Sequence, residues 1–333
     1  MKHLTEYRDP KIIKTLARSI NERAEYPVRI MEVCGTHTVS IFRHGLRDLL
    51  HENVILVSGP GCPVCVTPTG EIDALIELAA LPKVVLAVFG DILRVPGSRA
   101  TLSQIRAQGS DVRLVYSPYD ALELAQKMPD KEVIFSGIGF ETTAPGIAAC
   151  LLSARKQAIK NFSVFSSLRR MVPALQVLLS RPDISLGGLL LPGHVSTIIG
   201  ANAYQCLADT FHLPMVVAGF EPADILLAIH CLVSDLKAPT QWKVGNKFPR
   251  AVTCQGNTRA REIMNAVFEP APAHWRALGQ IAESGLAIRE ELKDMDAAVR
   301  FDISVNQVPD PSGCACAKVL LGAAAPKQCP LFG

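Results

Sequence analysis

Val54-Ile55-Leu56-Val57-Ser58-Gly59-Pro60-Gly61-Cys62-Pro63-Val64-Cys65 carries an uninterrupted apolar run straight into a turn of glycine, proline and cysteine. A run without polar alternation suits a strand covered on both faces, as in a parallel sheet flanked by helices. The same design occurs upstream, where the run 28–33 ends on Cys34-Gly35-Thr36-His37. Strand ends are where α/β proteins build active sites, because the chain is held rigidly there while its backbone emerges into a crevice. Two thiols of a Cys-x-x-Cys at such a point are close enough to form a disulfide, lower each other's pKa or hold a metal.

Working outward, further apolar runs lie at 84–89 and 112–116, and a second series at 133–135, 162–165, 188–191 and 215–218. Helical patterns separate them. Ile72, Leu75, Ile76 and Ala79 follow i, i+3, i+4, i+7 spacing, with Thr67-Pro68 predicting an N-cap followed by proline at the first helical position. Ile225, Ile229 and Leu232 repeat the pattern after Glu221-Pro222. This alternation predicts an α/β fold: two similar parallel-sheet α/β domains around a cleft, plus a small C-terminal loop-rich unit containing cysteines. The expected divisions are an N-terminal helical segment 1–27, domain I at 28–130, domain II at 131–237 and a C-terminal region 238–333. In the last region the proline-rich stretch 269–272 is expected to interrupt regular structure, between helices at 257–268 and 290–299.

Hydrophobic residues make up 49% of the 333 positions, yet no apolar run approaches the ~20 residues that span a bilayer. Residues 1–9 include Lys2, Glu6, Arg8 and Asp9 without an apolar core, so they do not read as a signal peptide, and a cytoplasmic location is expected. The net charge is +3 and no basic run exceeds Arg169-Arg170, which recommends neither a nucleic-acid nor a membrane surface. Ten cysteines without a secretion signal argue for metal or redox roles where they cluster rather than for a disulfide framework. Cys150, Cys206 and Cys231 sit inside helical apolar patterns and read as small buried hydrophobes.

Nucleotide signatures are absent: Gly137-Ile138-Gly139 has Thr142 where G-x-G-x-x-G needs its third glycine, and no Walker lysine loop exists. Cys62 and Cys65 precede a helix, whose positive end favours thiolate. They read as a redox or transient metal pair, with half of a structural zinc site as the alternative, the only other close pair being Cys314-Ala315-Cys316. Cys34 and His37, a soft thiolate beside an imidazole, suit iron, copper or zinc. His194 in Pro192-Gly193-His194-Val195, Glu221 in Gly219-Phe220-Glu221-Pro222 and Glu141 in Gly139-Phe140-Glu141-Thr142-Thr143 follow strands directly. Each suits acid–base or ligand-orienting work, and each is equally a helix cap.

Together these runs resemble the HypD family of hydrogenase maturation factors. The resemblance rests on Met31-Glu32-Val33-Cys34-Gly35-Thr36-His37, residues 59–68, Phe89-Gly90-Asp91 with Arg94-Val95-Pro96-Gly97, residues 139–143, Pro192-Gly193-His194-Val195-Ser196 and residues 219–222. It continues through Gly256-Asn257, Val267-Phe268-Glu269, Trp275-Arg276, Ser284-Gly285-Leu286 and Cys329-Pro330-Leu331-Phe332-Gly333. The resemblance implies a scaffold, rather than a conventional turnover enzyme, on which the Fe(CN)2CO unit of [NiFe] hydrogenases is assembled. It implies complex formation with a HypC-like chaperone and cyanide supply from a HypE-like protein. Cys34 would be the iron-binding thiolate, shared with a partner cysteine, and Cys62 and Cys65 the redox-active pair. His37, His194 and Glu221 would line the cleft. Members of the family carry a [4Fe-4S] cluster on four C-terminal cysteines. Cys316 and Cys329 match the first two, with Cys314 an alternative first ligand, while Ala317 replaces the family's glycine and the sequence ends at Gly333 before the other two. Since four thiolates hold such a cluster, a complete one is not expected from these residues.

Two rival classes explain less. A general thiol–disulfide oxidoreductase would use Cys62 and Cys65 but leave Cys34 and His37 idle, and a binding module would use the cysteines only for structural metal.

Overall fold

The structure, a computed structural model, describes residues 5–236, 242–309 and 313–330. It is α/β, with helices alternating with parallel strands. The strands are β1 (Val28–Glu32), β2 (Val54–Ser58), β3 (Val84–Val88), β4 (Val112–Leu114), β5 (Glu132–Gly139), β6 (Phe162–Leu168), β7 (Gly188–Pro192), β8 (Met215–Ala218), β9 (Gly245–Asn246), β10 (Phe268–Trp275) and β11 (Gly279–Ile288). All eight predicted apolar runs form strands.

The chain divides into two compact units, one made of Met1–Cys62, Ala174–Thr258 and Ala315–Gly333, the other of Pro63–Pro173 and Arg259–Cys314. This corrects the expected cut near residue 130. That point lies between β3 and β5, which pair side by side within one sheet ordered β4-β3-β5-β6. Strand β1 meanwhile pairs with β7, more than 150 residues downstream by their numbering, in a sheet ordered β2-β1-β7-β8-β9. Strand partners, not chain order, set the units, and a sequence pattern of two strand sets is blind to that pairing.

In the second unit, β3 shows why its sequence lacks polar alternation. Val85 and Ala87 face one apolar cluster with Val133, Phe135 and Ile147, whereas Val84, Leu86 and Val88 face another with Ile72, Leu75 and Ile134. Both faces of the strand are buried, as a parallel sheet requires. The first unit packs Val28, Ile30, Leu56, Leu190 and Val216 against the helices Pro10–Arg23 and Pro222–Asp235.

The helix after the Cys-x-x-Cys begins differently from the prediction. A short turn, Pro63–Val66, comes first, and the Thr67 hydroxyl donates to the Pro63 carbonyl at 2.8 Å instead of capping. Pro68 is extended and serves as N-cap of the helix Thr69–Ala80.

The proline-rich stretch 269–272 is regular after all. Pro270 and Pro272 lie in the two-stranded antiparallel ribbon β10–β11, whose register shifts between Ala271 and Ala273. Proline lacks an N–H to donate, and a two-stranded ribbon with a bulge leaves positions where none is needed. Residues 290–299 form a 3-10 helix, Glu290–Met295, and a short turn, Ala297–Arg300, in place of one helix. The C-terminal cysteine-containing segment carries the helix Cys316–Leu320 and lies on the first unit, where Arg29 donates to the Gly322 carbonyl at 2.7 Å. Cys150 is buried as expected, but Cys206 is exposed, its helix Gln205–Phe211 turning Leu207 and Ala208 inward instead. Among the described residues no helix is long and apolar enough to cross a membrane.

Candidate functional site

The five-stranded sheet brings several of the sequence-predicted residues to its carboxyl edge. Glu32 ends β1 opposite Ser58 at the end of β2 and Leu190 in β7, and Pro192 of β7 lies opposite Ala218 of β8. The turns that leave these four neighbouring strands therefore emerge side by side, carrying Cys34, Gly59 to Cys62, His194 and Glu221. Parallel strands with helical crossovers make this arrangement unavoidable, which is why such edges collect ligand sites.

Cys34 is 6% exposed and is the N-cap of the helix Gly35–Arg43. The amide of Gly35 donates to the Gly61 carbonyl at 3.0 Å, clamping the two cysteine-bearing turns together. A Cβ on Gly61 would run into the backbone of Val33 and Cys34, so only glycine permits this approach. Burial pushes the Cys34 thiol above its ordinary pKa, while hydrogen bonds from the His37 and Thr36 amides favour thiolate and the Glu32 carboxylate opposes it. The thiol is thus protonated at neutral pH.

Glu32 was quoted in the sequence only as part of a motif, and the structure gives it a place at the site. Its carboxylate accepts the Cys34 amide at 3.3 Å and the Thr38 hydroxyl at 2.5 Å. Burial pushes its pKa up to about 7, against the pull of hydrogen bonds from Ser58, Thr38 and Cys34. A signal existed: a carboxylate at the end of a largely apolar strand must be satisfied locally or titrate.

His37 is fully buried and its pKa falls to about 4, chiefly through burial and to a lesser degree through the nearby His194, against the opposing pull of hydrogen bonding to the Gly219 and Ala218 backbone. Its Nε2 lies 3.0 Å from the Gly219 carbonyl, which only an N–H can satisfy, so Nε2 carries the proton. Nδ1 is then a buried acceptor without a hydrogen-bond partner. Phe220 lies between two imidazoles, with ring centroids 4.0 Å from His194 and 5.0 Å from His37. Burial lowers the pKa of His194 as well. Both rings are neutral at physiological pH and serve as acceptors or dipoles rather than as cations.

Glu221 is engaged elsewhere. It is the N-cap of the helix Pro222–Asp235 and takes both carboxylate oxygens to Arg8, one at 2.8 Å, which holds its pKa below the ordinary carboxylate value. Cys62 is half-buried against Gly35, and Cys65, on the turn Pro63–Val66 of the other unit, is exposed.

In the second unit a buried polar hub secures that turn. The Val66 carbonyl accepts the Arg276 amide at 2.8 Å. Arg169, 1% exposed, donates to Glu71 at 2.5 Å, to the Ser167 carbonyl at 2.8 Å and to the His274 carbonyl at 2.9 Å. In the sequence Arg169 stands out only as half of the basic pair Arg169-Arg170, and nothing local marks an arginine as buried.

Glu141, also in the second unit, has one carboxylate oxygen accepting the Met171 amide at 2.9 Å and the other buried without a partner. Burial pushes its pKa up to about 7 from an ordinary 4.5. A raised carboxyl pKa means the folded state keeps a proton that the unfolded chain gives up. Stability is therefore full below pH 4.5 and is lost as pH rises through about 7. Glu141→Gln is expected to remove about 2–3 kcal/mol of that decline. Urea unfolding at pH 5 and pH 8 checks it: equal pH slopes in both proteins would contradict the assignment. Glu32 titrates in the same window, so a residual slope is expected in the variant.

Cys316 and Cys329 are half-buried, as is Cys314. Among the described residues no group of three or more His, Cys, Asp or Glu side chains is gathered so as to hold a metal ion. Two surface cavities, of about 710 and 780 Å³, are lined by other residues than those predicted for the site.

A family model, HypD, described as the hydrogenase formation hypA family, matches residues 11–333. The chain is 44% identical to the hydrogenase maturation factor HypD of Escherichia coli K12, over 100% of this chain and 91% of that protein. It is 44% identical to hydrogenase maturation factor HypD2 of Bradyrhizobium diazoefficiens, over 100% of this chain and 90% of that one. Identity to HypD of Rhodobacter capsulatus is 41%, over 100% and 91% respectively.

Proposed function

The chain belongs to the HypD family of hydrogenase maturation factors, and from that premise we propose that it is the scaffold on which iron receives its cyanide and carbonyl ligands. Iron is the cargo. Cys34 is the protein thiolate that holds it, with a second thiolate supplied by a HypC-like chaperone and cyanide by a HypE-like donor. The observation that carries this reading is the position of Cys34: a buried thiol just past the end of β1, on a turn tied to Gly61, with the His37 backbone amide turned toward it.

The chemistry follows from the residues. Low-spin iron carrying CN⁻ and CO wants soft donors that later release it, and a thiolate qualifies. His37 offers a buried acceptor, and His194 a half-buried neutral imidazole, to orient incoming ligands or accept a proton from them. Glu221 acts through the turn it caps. On the helix that follows Cys34, Val39 and Phe42 are 55% and 82% exposed, apolar surface suited to a protein partner near the cargo.

Cys62 and Cys65 are the redox pair: closing to a disulfide releases two electrons and two protons. Both thiols are expected to alkylate in reduced protein and to be protected after mild oxidation. Equal labelling in the two states removes the redox role. Anaerobic Fe(II) titration tests the scaffold itself. Native protein should bind iron with a thiolate-to-iron absorption that Cys34→Ala lacks, whereas a plain oxidoreductase would show the same titration in both.

A further inference from the structure

The Cys34 site is braced from outside by a residue that carries no motif. Arg250 donates two hydrogen bonds to Asp224, at 2.8 and 2.5 Å. Asp224 is 1% exposed and also accepts the Glu221 amide at 3.2 Å, so its carboxylate fixes the turn that follows β8. That turn in turn holds the helix Gly35–Arg43: the Gly219 carbonyl takes His37 Nε2 at 3.0 Å, and the Phe220 carbonyl takes the Ser40 hydroxyl at 2.5 Å.

A second path runs through rings. The Arg250 guanidinium lies 3.9 Å from the Tyr7 centroid and 4.6 Å from that of Phe248. Phe248 meets Phe220 edge-on at 5.8 Å, and Phe220 contacts both His194 and His37. A planar, bidentate, stacking cation is the one group that serves both paths at once, and lysine does not replace it in full.

We propose that Arg250 is a positioning residue for the Cys34 site, locking the 219–221 turn and, through it, His37 and the helix that Cys34 caps. The inference rests on Cys34 being the working thiol. It accounts for a guanidinium 22% exposed on a buried carboxylate that belongs to no predicted catalytic set.

The test uses the full chain and peptide-resolved iodoacetamide labelling of Cys34, with Cys150 as internal reference. Cys150 is fully buried and belongs to the other unit, so it reports general loosening. Arg250→Ala should raise Cys34 labelling at least about tenfold while Cys150 changes less than about twofold, the signature of local opening. The double variant Arg250→Met/Asp224→Asn, which leaves no orphaned charge, should do the same. Arg250→Lys should recover most of the protection, and the ¹⁵N signature of the His37 Nε2–H tautomer should be lost in Arg250→Ala and kept in Arg250→Lys. Unchanged Cys34 labelling in both charge-removing variants overturns the proposal, as does a parallel rise of Cys34 and Cys150. The readout needs no iron, so failure of Cys34 as the iron ligand, seen in the Fe(II) titration, is distinguishable from failure of the Arg250 brace.

Discussion

Arg169→Met should be the most damaging single substitution outside the site, lowering the urea midpoint by the equivalent of about 3–5 kcal/mol. The side chain is fully buried and joins the end of β6, the start of the helix Thr69–Ala80 and β10 through Ser167, Glu71 and His274. Removing the guanidinium leaves the Glu71 carboxylate, 13% exposed, resting on the Ser167 hydroxyl as its side-chain donor among the described residues. The penalty comes from that stranded charge more than from the lost attraction, because a buried pair repays its own desolvation only in part. The double variant Arg169→Met/Glu71→Leu should therefore recover much of the loss. If the double variant is no more stable than the single one, the hub acts through packing and not through charge.

Gly61→Ala should cost at least about 3 kcal/mol and disrupt the site, because the obstacle is backbone and cannot rotate away. The added Cβ would meet the carbonyl carbon of Val33 and the amide and Cα of Cys34. Either β1 or β2 must shift at its end, and with it the hydrogen bond from Gly35 to Gly61. Gly146→Ala is the matched control. Gly146 lies in the helix Ala144–Lys156 with nothing within 4 Å of the new Cβ. There the same chemical change should stabilise by about 0.5–1 kcal/mol, by removing freedom from the unfolded chain. Thermal unfolding of the two variants checks the pair, and a loss below about 1 kcal/mol at Gly61 would mean that the two turns are not clamped.

The strands of the two parallel sheets were legible because they are rich in apolar residues, and the central ones are apolar on both faces, a pattern that survives without knowledge of partners. Val84 to Val88 is the clear case, alternate residues serving different clusters. The pairing of β1 with β7 was not legible, since hydrophobic patterning says that a strand is covered and not which strand lies beside it. The ribbon β10–β11 was hidden for a different reason: prolines normally mark interruption, and only the bulge and the ribbon's exposed positions accommodate them. At the site, Cys34, His37, Cys62 and His194 stood out because their residue types carry chemistry at strand ends. Glu32 and Arg250 did not, since their significance lies in what they touch. Arg250 reaches Asp224 across 26 residues of chain, and no local spacing encodes that.

The central claim, that Cys34 holds the iron, is tested most directly by infrared spectroscopy of the protein purified with its HypC-like partner. Cys34→Ala should fold, because replacing one small thiol at a helix cap costs roughly 1 kcal/mol or less. It should retain no iron bearing CN⁻ and CO, so the stretching bands of both ligands should be missing, while native protein shows them. Bands that persist in Cys34→Ala and vanish in Cys62→Ala would contradict the account and transfer the iron to Cys62.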